Sequence, residues 1–479
     1  MLRKKISIGI LALIIFLSFV VRLYKLDNPI ADWHSWRQAD TAAVARNFIK
    51  NGFSPFIPHY DDLSNIQSGK ENPNGYRMVE FPLYQILGFF LHQSIPVLTI
   101  EISLRLISIF SSLLIIVFLF LLIHKYCGSL QALCVVFVFG FLPYSVYYSR
   151  AILPEMLSVS LAMGGIYFFD KFAEKDKSKI LYFILSIIFS QCSLLVKPVS
   201  VFLLLPVLYL FWKFKGPRFL LSKEFYIYSV LSLVPFIAWR VWINKFPEGI
   251  PAYDWLLNGG NIRFTPAFFR WIIAERIGKL ILGYTGMFFL LLGFTLQSDK
   301  KQNYIFSSLL IGSILYVFVF ARGNVQHDYY QILLLPAISI YAGKGIEFLF
   351  SKVSGINRKI AFLVGIASVI LMILLSWYEV RGYYWINHPE IIEAGKRVDL
   401  LTSKNSKVIA PYIGDTAFLY QTNRSGWPVV NKPISEMVRD GADYLVIVNP
   451  DQDALNLQTT YAVLEKKDSY IIYDLKKLP

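Results

Sequence analysis

The chain alternates long apolar runs with short polar stretches. Eleven runs approach the ~20 apolar residues that a membrane-spanning helix needs. They fall at 6–24, 103–123, 130–148, 155–170, 180–195, 198–212, 226–243, 279–296, 304–321, 329–349 and 360–378. The first follows the basic "MLRKK", with no small-residue cleavage site behind it. It therefore predicts a retained first span with a cytoplasmic N-terminus. Eleven spans from that start place "HKYCGSLQ", "KFAEKDKSK", "WKFKGPRFLLSKE", "QSDKKQN" and "SKVSGINRK" in the cytoplasm, and nearly all carry lysine or arginine. The short opposite loops carry few, so parity and the positive-inside rule agree. The apolar stretch "EFPLYQILGFFLHQ", 80–93, has only 14 residues. As a span it would invert every later loop. It predicts an amphipathic helix lying on the outer membrane surface.

Three stretches then face outward: 25–102, 244–278 and 379–479. The last changes character. "KVIAPYI", "DYLVIVNP", "YAVLEKK" and "SYIIYDLKK" have the short, β-branched and aromatic pattern of strands. "PEIIEAGKRVDLLT" and "PISEMVRDG" alternate with them as helices. The expected fold is a polytopic α-helical membrane protein of about 11 transmembrane helices, with outer juxtamembrane helices and a small C-terminal α/β domain. The expected division is 1–378 for the membrane part and 379–479 for the outer domain. There is no internal repeat and no low-complexity run.

Composition supports this class. Of 479 residues, 55% are hydrophobic and only 16% charged, against about a quarter in soluble domains. The net charge of +15 fits basic loops held against anionic lipid rather than nucleic-acid binding. Cys127, Cys134 and Cys192 lie in or beside apolar runs and read as small hydrophobes.

Charge concentrates directly after the first span, in "ADWHSWRQADTAAVARNF", 31–48. Ser35 and Gln38 match a capping box, and Asn51-Gly52 is a stop signal, which predicts a helix over 36–50. On it Arg37, Asp40, Val44 and Asn47 share a face, and Arg37 is spaced to pair with Asp40. An ordinary solvated helix with one ion pair has the same pattern. Other polar groups sit at outward span ends: Arg150 and Glu155, Lys197, and His327, Asp328 and Tyr329, while Glu80 opens the surface helix. Any one of them can be read as snorkelling to the interface. Together, on one side of the membrane, they read as a site. Carboxylates supply a general base or bind a metal, arginine and lysine hold phosphate, and apolar walls suit a lipid tail.

These stretches resemble the GT-C membrane glycosyltransferases, in particular the bacterial branch of glycosyltransferase family 39 related to dolichyl-phosphate-mannose protein mannosyltransferases and lipid A aminoarabinose transferase. The resemblance covers most of the chain. "SWRQADTAAVARNF" sits where that family has its first outer-loop helix, which bears the catalytic aspartate. "EFPLYQIL" resembles the Glu-x-Pro start of its second surface helix, with Phe81 where relatives can carry lysine. "SRAILPEML" resembles an Arg…Pro-Asp element, with Glu155 in place of aspartate. "LLVKPVSVFLLLP" resembles the lysine-bearing turn that binds lipid phosphate, and "HDYYQILLLPAISIYAG" a later Tyr-Tyr…Leu-Pro span. "GDTAFLYQTNRSGW" and "GADYLVIV" resemble the family's extracytoplasmic domain. Relatives often begin the first outer helix with Asp-Glu. Here Arg37 lies near that place, Asp40 one turn later and Asp32 before the helix.

The resemblance implies an inverting transfer of a sugar from a polyprenyl-phosphate donor to an acceptor hydroxyl, in a multi-pass protein of the bacterial inner membrane. Catalytic candidates are Asp40, then Asp32, with Glu155. Substrate-binding candidates are Glu80, His34, Arg37, Lys197, Arg150, His327 and Tyr329. Lys197, helped by Arg150, would stabilise the departing phosphate. Glu155 and Glu80 would hold sugar hydroxyls, acceptor or metal. No ligand spacing decides whether a divalent metal (Mg, Mn or Zn) takes part. The acceptor (protein, lipid or glycan) is not specified. Three other readings remain. A flippase of lipid-linked glycan would be expected to show repeats. A ligase or oligosaccharyltransferase would move a whole glycan, and an envelope scaffold would need no such charges.

Overall fold

The computed structural model describes residues 2–174, 179–296, 304–351 and 357–479. Of the basic loops, "QSDKKQN" lies wholly outside these residues, and "KFAEKDKSK" and "SKVSGINRK" lie partly outside them. The chain forms two compact units. The first is Met1–Leu26, Arg105–Arg240 and Tyr253–Gly382, and the second is Asp27–Leu104, Val241–Ala252 and Tyr383–Pro479.

The first unit is helical. It opens with α1, Leu2–Arg22. Each of the eleven apolar runs is helical. Among the described residues seven helices are long and apolar enough to cross a membrane, or eight if the bent pair Pro266–Ile281 and Gly286–Thr295 is one span. That pair turns by 118°, and Arg270–Ile281 is a wide π-helix. The other three runs fall short for identifiable reasons. Ser129–Phe141 stops at Pro143, which cannot supply the next backbone donor. Tyr304–Val319 has 16 residues. Glu155–Ala173 carries Glu155, Asp170 and Lys171, which lower its hydropathy.

Close helix packing relies on glycine. A Cβ at Gly293 would lie 1.9 Å from the Tyr341 carbonyl oxygen, and one at Gly345 would lie 2.1 Å from that of Phe289. Only hydrogen lets these backbones approach so nearly. On its outer faces the unit exposes aliphatic and aromatic side chains, such as Phe16, Leu363 and Leu374.

In the second unit, α2 spans Ser35–Lys50 and α3 spans Leu83–Ser94. The 12-residue α3 is too short to span a bilayer. Asn51 ends α2 and Gly52 follows at φ +90°. The capping box does not form. His34, at φ 56°, precedes the helix and makes no side-chain cap. The Ser35 hydroxyl instead donates to Asp415 Oδ2 at 3.0 Å, and the Gln38 amide donates to Asp32 Oδ1 at 2.7 Å. The helix starts one residue early: His34 takes the N-cap place, so Ser35 lies in the first turn and is out of register for the box.

The C-terminal residues form the expected α/β fold. Strands β1 (Lys407–Ile409), β2 (Ser425–Trp427), β3 (Tyr444–Val448), β4 (Ala462–Lys466) and β5 (Tyr470–Asp474) order as β2-β1-β3-β5-β4. The β2-β1-β3 half is parallel and the β3-β5-β4 half antiparallel. Helices Pro389–Leu401 and Ile434–Arg439 lie where the sequence predicts them, and Thr416–Gln421 is an additional short one. The loop after α1 completes this sheet. Asp62 bridges Gly426 in parallel, with Leu63 N–H donating to the Gly426 carbonyl at 2.8 Å and Gly426 N–H to that of Asp61 at 2.9 Å. Leu63 joins Ile409, Trp427 and Leu445 in the core. The β2 edge is thereby covered rather than left open.

Candidate active site

Charged side chains gather in each unit. In the second, α2 is buried nearly all round: Arg37, Asp40, Val44 and Asn47 are each under 7% exposed. The solvated-helix reading therefore fails. Arg37 does not pair with Asp40. Its Nη2 lies 2.6 Å from Glu80 Oε1, while Arg77 Nη2 lies 2.9 Å from Asp40 Oδ2. The i, i+3 spacing allows the local pair, but each arginine finds a carboxylate across the loop. Asp40 Oδ2 also accepts from the Gln67 amide at 2.9 Å, and Oδ1 accepts from the Thr416 hydroxyl at 2.7 Å. Arg77 donates to Gln67 as well, closing a triangle.

A turn built on "NPNG" places Arg77. Asn72 accepts from Tyr76 N–H and donates to its carbonyl, both at 2.9 Å, and Gly75 adopts φ +63° against Tyr60. Residues on either side pair antiparallel, with Tyr60 N–H on the Gly75 carbonyl and Arg77 N–H on that of Pro58, each at 2.8 Å. A narrow cleft, with room for roughly one water-sized group, is lined by Arg37, Asp40, Thr41, Val44, Arg77 and Glu80. Asp32 does not line it. Asp32 is buried and holds Gln38. His34 packs edge-on against Trp33, whose ring stacks on Tyr383.

Two further acids flank Asp40. Burial raises the Asp62 carboxyl to about 6, with the Asp40 charge adding to the rise and hydrogen bonds from Ser64 opposing it. Burial likewise raises Asp415, which accepts from Ala417 N–H at 2.7 Å and so caps the helix that begins at Thr416.

In the first unit, Glu155 is 1% exposed and its oxygens accept no hydrogen bond. Its partner is the Lys197 ammonium, 2.9 Å from Oε1. Arg150 is buried, donates to the Lys25 carbonyl at 2.9 Å and lies over the Tyr147 ring. His327 stacks on Tyr329. Between them in sequence, buried Asp328 accepts from the Tyr148 hydroxyl at 2.6 Å and lies 3.8 Å from Arg276 of the π-helix. That helix also lines an apolar cavity of about 360 Å³, with Phe268, Ile272 and Ile273 on one side and Leu290, Val317 and Ile338 on others.

Sequence reasoning missed Arg77, Gln67, Thr416 and Arg276. The "NPNG" turn signal just before Arg77 could have raised interest in it; nothing local marks the other three. Among the described residues no three His, Cys, Asp or Glu side chains converge as a metal cage requires. In the second unit, Asp32, Asp40 and Glu80 each already hold an amide or guanidinium.

Residues 97–242 match the family model for dolichyl-phosphate-mannose-protein mannosyltransferase. In structure the chain is similar to ArnT from Cupriavidus metallidurans bound to undecaprenyl phosphate. The TM-score is 0.67 and the identity 11%, with 97% of this chain and 98% of that one covered. It is also similar to the oligosaccharyltransferase AglB from Archaeoglobus fulgidus, solved with an inhibitory peptide and dolichol-phosphate. There the TM-score is 0.58 and the identity 11%, covering 99% of this chain and 75% of that one. A third similarity is to mycobacterial arabinofuranosyltransferase AftD, with TM-score 0.56, identity 12%, and 98% of this chain against 41% of that one. No curated protein matches the chain in sequence. The fold is that of the GT-C membrane glycosyltransferases, and the protein is a multi-pass membrane protein.

Proposed function

We propose that this chain, which has the GT-C fold, is an inverting glycosyltransferase that moves a sugar from a polyprenyl-phosphate donor to an acceptor hydroxyl. The observation that carries the reading is the cleft in the second unit, where buried Asp40 lies beside Arg37, Arg77 and Glu80. A general base must be held rigidly and reach the proton it takes. Three donor groups fix Asp40, and a carboxylate offers about four acceptor positions, so one remains, on Oδ1. Asp32 is the second candidate for the base. The reading prefers Asp40 because Asp40 lines the cleft and Asp32 does not.

The reaction then runs as follows. The acceptor O–H bond breaks and its proton passes to Asp40. The acceptor oxygen bonds to the anomeric carbon, whose bond to the lipid phosphate breaks with the electron pair leaving on phosphate. Arg37 and Glu80 orient acceptor or sugar, with His34 at the helix start. Within the first unit, other groups suit a phosphate-linked donor. Lys197, Arg150 and Arg276 offer positive charge to phosphate. Glu155, which has acceptor capacity to spare, suits sugar hydroxyls, as do His327 and Tyr329 at the start of Asp328–Ser351. The apolar cavity beside the π-helix suits a prenyl tail. ArnT and AglB were solved with undecaprenyl phosphate and dolichol-phosphate, which supports a donor of this class here. The protein sits in the bacterial inner membrane with its N-terminus cytoplasmic and residues 379–479 outside.

A purified-protein assay tests this. The donor pool is a polyprenyl-phosphate lipid extract of the source membranes, and the acceptor is their delipidated fraction. Release of polyprenyl phosphate that depends on the acceptor fraction supports the reading. Translocation of the lipid across a vesicle with no such release would favour a flippase.

A further inference from the structure

Thr416 stands far from Asp40 in sequence, yet its hydroxyl reaches the one Asp40 oxygen that has an acceptor position to spare. Its side chain is 6% exposed. Oγ1 lies 2.7 Å from Asp40 Oδ1 and 3.1 Å from the Trp36 carbonyl oxygen. One hydroxyl proton thus faces two acceptors, one titratable and one not. The backbone around it is fixed at both ends. Asp415 caps the helix that starts at Thr416, and the same carboxylate takes the Ser35 hydroxyl from the first residue of α2.

We infer that Thr416 is a positioning residue for the proposed base, a hydroxyl rotor that orients ionised Asp40 and releases it once the proton has been taken. The inference rests on the reading of Asp40 as base. Before transfer, Asp40 is a strong acceptor and the Thr416 proton points to Oδ1, leaving the remaining Oδ1 position for the acceptor hydroxyl. When that hydroxyl's proton moves to Oδ1, the oxygen loses its charge and most of its accepting strength. The Thr416 O–H then turns to the Trp36 carbonyl. The new Asp40 O–H donates in turn to the Thr416 oxygen, 2.7 Å away, so no buried donor is left unmatched in either state and the change of protonation does not cost a lost hydrogen bond. The C-terminal residues thereby contribute to the chemistry through a single hydroxyl.

The test uses full-length protein in the acceptor-dependent release assay, with Thr416→Val, Thr416→Ser and Asp40→Asn side by side and melting temperatures for each. Valine matches threonine in shape and lacks the hydroxyl. The expected result is a loss in kcat of about 10-fold or more for Thr416→Val with donor KM unchanged, and near-complete recovery in Thr416→Ser. The serine rescue separates a hydroxyl role from a packing role. Full activity in Thr416→Val beside an inactive Asp40→Asn overturns the rotor alone. Serine as impaired as valine also overturns it, because the methyl group would then be what matters. A fully active Asp40→Asn removes the base reading and the rotor together.

Discussion

Glu155 and Asp40, buried carboxylates of the two units, are held in different ways. Glu155 of the first unit pairs with the Lys197 ammonium and, among the described residues, accepts no hydrogen bond. Asp40 of the second is met by a guanidinium, an amide and a hydroxyl, each from a different stretch of chain. The first arrangement leaves acceptor capacity open, as suits a group that awaits a ligand. The second fixes direction, as suits a group that must meet one proton. The second unit, woven from three separate segments, can bring several donors to one oxygen pair.

The contrast can be sharpened by removing partners. Lys197→Ala would leave Glu155 buried and uncompensated, which costs about 3–5 kcal/mol. A large drop in melting temperature is expected. The double variant Glu155→Gln with Lys197→Met should recover the melting temperature while donor use stays low. A single Lys197→Ala variant that melts like the wild type would show that Glu155 is compensated by more than Lys197.

In the second unit the effect should follow pH. Asp62 has a folded value near 6, above its ordinary value of 3.8, because it is buried. A raised carboxyl contributes stability that is fully present below about pH 4 and lost as pH rises through 6. The loss amounts to roughly 3 kcal/mol at about 1.4 per unit. Asp62→Asn keeps an acceptor for Ser64 N–H, 2.8 Å away, and should be the more stable protein at pH 8, with no advantage near pH 4. Denaturation at the two pH values checks this. Equal stability at pH 8 would mean that Asp62 is better solvated than its burial indicates.

The units also differ in how far the sequence reveals them. All eleven apolar runs are helical, because length and hydropathy are local properties. Four strands and two helices of the C-terminal part were visible for the same reason. Strand β2 was not: "SGW" is three residues long and contains glycine. The six-residue helix Thr416–Gln421 has no room for a period. The local rules failed where the helix register or a distant partner decided otherwise. Ser35 and Gln38 have capping-box spacing, but Ser35 lies in the first turn and reaches an aspartate 380 residues away. Arg37 has i, i+3 spacing to Asp40, but Glu80 takes it. Of the partners of Asp40, Gln67 is 27 residues distant and Thr416 is 376, and no window along the chain contains both.

The most direct test of the account is turnover by Asp40→Asn in purified protein, with Asp32→Asn as control. Asparagine can keep the network, with its oxygen toward Arg77 and Gln67, and its amide donating to a Thr416 hydroxyl turned to Trp36. The fold and donor binding should therefore survive. The account predicts a fall in transfer of roughly 100-fold or more, the usual contribution of a general base, with Asp32→Asn much less affected. Near-normal turnover in Asp40→Asn with an inactive Asp32→Asn would contradict it and move the base to the residue that holds Gln38.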